Sequence, residues 1–312
     1  MDSALKKDGL HFQNGDHLIK IDNAWLRFLN ILSFEIGRKI IYVIGPNDSG
    51  KSTFCQFLIH NLSGKLLTAY IDGDPGQSSI GPPTTLGLEI YSNQGENKND
   101  TFLCFIGATT PLGHLLQTLA GIKKLTENAI RLGAQRIILD SCGFVLDRAA
   151  REFQFQLIQL LQPDHLIVFE TSNDIMKWIS NFKRNPGISV HRFPVANSII
   201  PRTPEERKHY RDEKFKKFFE SARLQEIRLH RIGFYGRVPD LKNPDYFRNR
   251  LVALCNAENY VLTLGIAQEI DLVNKTFRLV SPDFNPGEVV FICFGSIYLT
   301  EDGKQVFRNY AA

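Results

Sequence analysis

The chain is predicted to be an α/β protein: a parallel sheet covered by helices, a helical lid, and a small C-terminal antiparallel β domain. Three observations carry that prediction. Short apolar runs alternate with helix-period segments between residues 40 and 169. The runs end in polar, glycine-bearing clusters, as strands of a doubly covered sheet do where ligands collect. Beyond residue 198 the texture changes to one charged helix and then to period-two segments.

The first strand is Ile40-Ile41-Tyr42-Val43-Ile44, followed by a helix with Phe54, Phe57, Leu58 and Leu62 at helical spacing and a stop at Ser63-Gly64. Residues 66–71 predict a second strand and 101–106 a third. Residues 112–132 read as a helix with Leu115, Leu119, Ile122 and Leu125 on one face. A fourth strand is expected at 136–139, a helix at 148–161 stopped by Gln162-Pro163, and a fifth strand at 165–169. Residues 92–100 read as a polar turn. Thr203-Pro204-Glu205-Glu206 is a capping box with proline at the first helical position, announcing a helix to about residue 223. A Gly/Pro/Asn-bearing connection over 236–249 leads to strands at 251–255, 260–270, 276–280 and 289–299.

Composition narrows the classes. A chain of 312 residues suits one large α/β domain with an appendage, and 43% apolar residues suits a globular core. The formal charge of +4 permits a polyanionic partner without requiring one. Cys55, Cys104, Cys142, Cys255 and Cys293 are odd in number and form no C-x-x-C, so free thiols in a reducing compartment are expected, with neither zinc nor disulfides. Residues 1–8 are polar and carry Lys6 and Lys7 without an apolar stretch behind them, so no signal peptide is expected; no run has the length of a membrane span. A cytoplasmic location follows, or a nuclear one in a eukaryote.

Residues Gly45-Pro46-Asn47-Asp48-Ser49-Gly50-Lys51-Ser52-Thr53 match G-x-x-x-x-G-K-[ST] between a strand and a helix, the context in which that pattern has a mechanism. The glycines let successive N–H groups converge on phosphate oxygens, the helix N-terminus adds its positive end, and Lys51 supplies a mobile charge for β- and γ-phosphates. The Ser52 hydroxyl, with Thr53 beside it, suits Mg²⁺. A nucleoside triphosphate site in a P-loop NTPase sheet is therefore expected.

Such a site needs an acid near the metal. Asp72-Gly73-Asp74-Pro75-Gly76-Gln77 offers two acids on alternate positions and a turn that aims the following groups back into the crevice. A right-handed crossover after the P-loop helix is expected to bring this strand near the P-loop strand. Asp74 is the preferred acid, Asp72 a supporting metal partner, and Asp140, after Ile137-Ile138-Leu139, the alternative. On the charged helix Lys208/Asp212/Lys216 and Glu213/Lys217 pair at i,i+4, whereas Arg207 and Arg211 face each other. Like charges at this spacing cost roughly 0.2–0.5 kcal/mol. Guanidinium forks suit phosphoryl oxygens, so a lid over the γ-phosphate is favoured, with Arg202 at its hinge.

The order of these motifs resembles the polynucleotide 5′-hydroxyl kinase family, whose eukaryotic members serve mRNA 3′-end cleavage, tRNA splicing and pre-rRNA processing. The matches are the P-loop 45–53, Asp72 to Gln77, the Gly107-Ala108-Thr109-Thr110-Pro111 segment, Ser141-Cys142-Gly143-Phe144, and Arg207 with Arg211. The resemblance implies that ATP or GTP with Mg²⁺ is bound by the P-loop, with Ser52, Asp72 and Asp74 toward the metal. It implies that Asp74 acts as base toward the 5′-hydroxyl of RNA or DNA, and that Arg207 and Arg211 clamp the γ-phosphoryl. Gln77, Thr109, Ser141, Gly143 and Phe144 would then meet the substrate, with Ser141 standing for the family's clasp threonine and Phe144 for its Trp or Asn. The implied division is a short N-terminal β segment (1–36), a P-loop kinase core (37–197), a lid helix region (198–235) and a C-terminal β domain (236–312). Larger eukaryotic members carry an extra N-terminal domain, for which the 36 residues before Gly37 are too few. An ATP-binding scaffold of an RNA-processing complex and a small-molecule P-loop kinase are the alternative readings.

Overall fold

The computed structural model describes residues 11–14, 17–92, 96–170, 172–196 and 200–306. The polar start at residues 1–8 and the expected boundary at 197/198 lie outside the described residues. In chain order the elements are β1 (His11–Asn14), β2 (His17–Lys20), α1 (Asn23–Phe34), β3 (Lys39–Ile44), α2 (Lys51–Leu62) and β4 (Thr68–Gly73). Then come β5 (Thr85–Ser92), β6 (Glu96–Phe105), α3 (Leu115–Arg131), β7 (Arg136–Ser141), α4 (Arg148–Leu161), β8 (His165–Phe169), α5 (Asp174–Ile179) and β9 (Ser189–Phe193). The remainder is α6 (Pro204–Phe219), β10 (Arg223–Arg228), β11 (Gly233–Gly236), α7 (Pro244–Phe247), β12 (Arg250–Cys255), β13 (Val261–Asp271), β14 (Thr276–Ser281), β15 (Phe291–Leu299) and β16 (Gln305–Val306).

One seven-stranded sheet has the order β6-β5-β4-β7-β3-β8-β9. The pairs β3–β7, β3–β8 and β8–β9 are parallel. Consecutive strands β5 and β6 are separated by three residues, too few for a crossover, so they form an antiparallel hairpin and the sheet is mixed. The polar turn expected over 92–100 is thus corrected: residues 96–100 begin a strand, and only 93–95 lie outside the described residues. A second correction concerns order. β7 lies between the P-loop strand β3 and β4, so β4 is one strand farther out than the crossover rule suggested.

Packing divides the chain into two compact units. The first comprises Met1–Ile71, Leu88–Asp100 and Thr126–Pro201. Its buried strands β3, β7 and β8 carry near-continuous apolar residues because both faces are covered. The segment expected as a short β stretch before residue 37 contains the hairpin β1–β2 and also the twelve-residue helix α1. Asp22 caps α1 by accepting from the Ala24 N–H, and Trp25, Phe28 and Leu32 bury one face. Trp25 packs edge-on to Phe54 at 5.1 Å between centroids. The C-terminal carbonyls of α1 are met by a fully buried cation: Arg136 donates to the carbonyls of Leu32, Glu35 and Gly37 at 2.6–3.2 Å. Burial holds the Arg136 guanidinium below its ordinary pKa, with Glu35 and Asp164 opposing that shift.

The second unit comprises Asp72–Gly87, Thr101–Leu125 and Arg202–Ala312. Its sheet has the order β10-β14-β13-β12-β15-β11, with β16 on β15. All pairs are antiparallel except β11 with β15, which is parallel. One face buries Ile227, Val252, Leu254, Phe277 and Phe294. The other buries Leu251, Ala253, Leu264 and Leu299 together with Phe215 and Phe219 of α6, which fixes the second half of that helix. None of the five cysteines, all among the described residues, is in a disulfide. No helix among the described residues is long and apolar enough to cross a membrane.

Candidate functional site: the P-loop and the acid-bearing turn

In the first unit, buried β3 delivers the chain into the loop at 45–50. Asp48 has φ 53° and Gly50 φ 90°, left-handed conformations that curl the backbone into a nest. Gly50 occupies the N-cap of α2 without a side-chain cap, so the first-turn N–H groups of that helix are available to an anion. Ser49 Oγ donates to the Pro46 carbonyl at 2.8 Å, and Lys51 Nζ donates to the same oxygen at 2.8 Å. Lys51 is 7% exposed and Ser49 2%, whereas Ser52 is exposed and Thr53 half-buried. The lysine is thus laid back across the loop on one carbonyl oxygen.

The segment after β7 lies against this loop. A Cβ on Gly143 would stand 1.9 Å from Asn47 Oδ1 and 2.6 Å from its backbone nitrogen, so only glycine fits there. Phe144 is half-buried, with its ring 6.4 Å from that of Phe153 and its carbonyl accepting from Gln154 Nε2 at 3.0 Å. Ser141 is 4% exposed and its hydroxyl donates to the Cys142 carbonyl at 3.2 Å. Asp140 is the penultimate residue of β7, whose Leu139 and Asp140 align with Tyr42 and Val43 of the P-loop strand. It is 5% exposed and accepts from Tyr70 Oη at 3.3 Å.

In the second unit the two acids of the 72–77 turn have different surroundings. Asp72 is 3% exposed; its Oδ1 accepts from the Asp74 N–H at 3.0 Å and its Oδ2 from the N–H and hydroxyl of Ser79. It closes the turn. Asp74 is half-buried, and its Oδ1 accepts from Gly76 and Gln77 N–H at 2.8 and 3.1 Å. Its Oδ2 takes no hydrogen bond among the described residues. One oxygen is clamped, which orients the carboxylate, and the other is left without a hydrogen bond. Gly76 lies so close to the Thr109 carbonyl that a Cβ would be 2.4 Å from it. The 107–111 segment therefore packs on the acid-bearing turn. It is held from the C-terminal sheet by Ser296, whose N–H and Oγ both donate to the Gly107 carbonyl at 2.7 and 3.0 Å. Gln77 Nε2 donates to the Gly76 carbonyl at 3.0 Å, while its buried Oε1 has no partner.

The charged helix begins as expected, with Thr203 and Glu206 forming a reciprocal capping box. Lys208 pairs with Asp212 at 2.7 Å. The expected pairs Asp212–Lys216 and Glu213–Lys217 do not form among the described residues. Arg207, Tyr210, Arg211 and Lys214 make a half-buried stripe on the first half of α6. Burial lowers the pKa of Arg211, as does Arg207 beside it, while Asp212 and Asp74 raise it. The arginine expected to lack anionic neighbours therefore feels Asp74, the predicted base. Sequence reasoning missed Tyr210, whose hydroxyl donates to the Ser78 carbonyl at 3.2 Å and ties the helix to the acid-bearing turn. Burial raises its pKa, with Asp72 and Asp74 adding to that and Arg202 opposing it. Its position three residues after Arg207 was the available signal. Among the described residues no cluster of three or more His, Cys, Asp or Glu could hold a metal alone. That is compatible with Mg²⁺, which relies on phosphate and water oxygens for much of its shell.

Residues 45–221 match the family described as mRNA cleavage and polyadenylation factor CLP1 P-loop. The polyribonucleotide 5′-hydroxyl-kinase of Methanocaldococcus jannaschii is 26% identical, the match covering 85% of this chain and 88% of that protein. The enzyme of the same description from Pyrococcus furiosus is 24% identical, with 88% and 92% covered. The CLP1 homolog of Drosophila mojavensis is 24% identical over 79% of this chain and 69% of its own length. Among solved structures, Clp1p in the wild-type Clp1p–Pcf11p (454–563) complex superposes with a TM-score of 0.67 at 14% identity, covering 88% of this chain and 78% of that one. At that identity the likeness is one of fold.

Proposed function

Since the chain belongs to the mRNA cleavage and polyadenylation factor CLP1 P-loop family, we propose that it is a polynucleotide 5′-hydroxyl kinase, moving the γ-phosphoryl of ATP or GTP to the 5′-hydroxyl end of RNA or DNA. The archaeal relatives named as polyribonucleotide kinases favour RNA as the first substrate to try. The observation that supports this reading most is the Asp74 carboxylate, with one oxygen clamped by two N–H groups and Arg211 within its electrostatic reach. A base and a γ-phosphoryl clamp must be close neighbours in such a transfer, and a nucleotide-binding scaffold needs neither.

Asp74 Oδ2 accepts the proton of the attacking hydroxyl, so that its oxygen can bond to the γ-phosphorus as the bond to the β–γ bridging oxygen breaks. Lys51 leaves the Pro46 carbonyl for the β- and γ-phosphate oxygens, and the first-turn amides of α2 hold the remainder of the triphosphate. Arg207 and Arg211 gather the equatorial oxygens, where charge redistributes in the transition state. Mg²⁺ would be held by the exposed Ser52 hydroxyl together with phosphate and water oxygens; Asp72, both of whose oxygens already accept hydrogen bonds, and Asp74 would act on it through bound water. When bound, the ion neutralises charge on the β- and γ-phosphates. Phe144, beside Gly143, offers a ring face to the terminal base, and Gln77 and Thr109 line the acid-bearing turn. The segment 198–235 serves as the lid region, and a cytoplasmic or nuclear location goes with this reading.

The test incubates purified protein with Mg²⁺, γ-labelled ATP and matched 5′-hydroxyl RNA and DNA oligomers. Label is expected on the 5′ end, and none with Lys51→Ala. Bound ATP without label on any oligomer would overturn the kinase reading and leave an ATP-binding scaffold.

A further inference from the structure

A cavity of about 950 Å³ lies between α4 and α5 in the first unit, lined by Arg148, Arg151, Phe155, Lys177 and Trp178 among others. None of these residues takes part in the site described above. Three features bear on what it holds. Its rim is basic: Arg148, Arg151 and Lys177 line it and are exposed. The opposing carboxylates are Glu152, which accepts from Gln156, and Asp174, which holds Lys177 at 3.0 Å and is itself lowered in pKa partly by Arg151. Cations therefore outnumber carboxylates along this strip.

The wall is aromatic. Phe155 is 42% exposed, with its ring 5.6 Å from that of Phe182, and Trp178 is half-buried. Stacking faces beside cations are what a single-stranded polynucleotide uses, whereas an apolar peptide would leave the charges unanswered.

The cavity also starts near the expected grip on the terminal nucleotide. Arg148 follows Phe144 by four residues, a reach of at most ~14 Å. We propose that the α4–α5 groove binds the nucleotides that follow the 5′-terminal one on single-stranded RNA or DNA, with Arg148 and Arg151 on phosphates and Phe155 and Trp178 against bases. The proposal rests on the kinase reading for the direction in which the strand runs.

Binding of fluorescently labelled 5′-hydroxyl RNA of two, four and eight nucleotides is measured by anisotropy over a range of salt, alongside KM for the same oligomers. Affinity is expected to rise and KM to fall with length. Each phosphate contact on a single strand contributes about 0.7 to the slope of log affinity against log salt, so Arg148→Ala/Arg151→Ala should lower that slope by about 1.4. Trp178→Leu should weaken the octamer about 5- to 150-fold, the range for one stacked base. Trp178→Phe retains the ring and guards against a folding defect; it should recover most of that loss. Length-independent KM with wild-type salt slopes in the variants would overturn the groove while leaving the kinase intact. Length- and salt-dependent binding without label transfer would uphold the groove and sink the kinase. Variants that bind RNA normally but lose an acidic peptide would hand the surface to a protein and end the proposal.

Discussion

Replacing Asp74 by asparagine separates the chemical role of its free oxygen from the structural role of its clamped one. Asp74 Oδ1 accepts from Gly76 and Gln77 N–H at 2.8 and 3.1 Å. An asparagine Oδ1 can accept both, so the turn survives, but the two bonds change from charge-assisted to neutral. Bonds to a charged group contribute about 1.5–3 kcal/mol and neutral ones about 0.5–1.5. The expected loss of stability is therefore about 1–3 kcal/mol for the pair, with the fold retained. The amide placed at the Oδ2 position cannot take a proton, and loss of a general base costs ~10²–10⁴-fold in rate. Single-turnover transfer to a 5′-hydroxyl oligomer gives the rate, ATP titration the affinity, and denaturant unfolding the stability. Asp74→Ala, which strands two N–H groups, should lose as much rate and more stability than Asp74→Asn. Near wild-type turnover in Asp74→Asn with a crippled Asp140→Asn would refute the assignment, since Asp140 lies one residue before the end of the strand beside the P-loop strand.

Arg207→Ala and Arg211→Ala should each lower kcat with little change in ATP affinity and combine non-additively, because both meet one group in the transition state; single-turnover kinetics decides this. Lys208→Ala and Lys216→Ala in the same assay should be near silent, and equal losses there would make α6 a general basic surface. Gly143→Ala would set a Cβ 1.9 Å from Asn47 Oδ1, so the loop must shift; a loss of about 1–3 kcal/mol in stability is expected with weaker ATP binding, read by unfolding and nucleotide titration. His191 is lowered to about 4, chiefly by burial and then by His165 at 3.2 Å, with Glu35 opposing. Between pH 6.5 and about 4 the unfolded chain binds the extra proton and the folded one does not, so this contribution is present above pH 6.5 and lost on acidification. His191→Gln should flatten that stretch of the pH–stability curve measured by denaturant unfolding.

The P-loop, its strand and its helix were legible because local chemistry dictates them: an apolar run, a glycine that must take a positive φ at Gly50, and periodic aromatics behind Lys51. The charged helix α6 was equally legible, since Thr203 and Glu206 satisfy each other's backbone within one turn. The helix α1 was not recognised, although Asp22 and the spacing of Trp25, Phe28 and Leu32 mark it; its C-terminal partner is Arg136, about a hundred residues away. The strand β5 was missed because its partners, β4 and β6, are set by sheet order, and its polar exit resembles a turn. The two acids looked equivalent in sequence. Only the folded turn distinguishes them, by spending both oxygens of Asp72 on N–H and hydroxyl donors and one oxygen of Asp74. Tyr210, bonded to the Ser78 carbonyl, and Arg211, which feels the Asp74 charge, come to this turn from more than a hundred residues away, so their place beside it was decided by tertiary structure. Residue types and spacing determined that a phosphate-binding site would exist; packing determined which atoms around it were left unsatisfied.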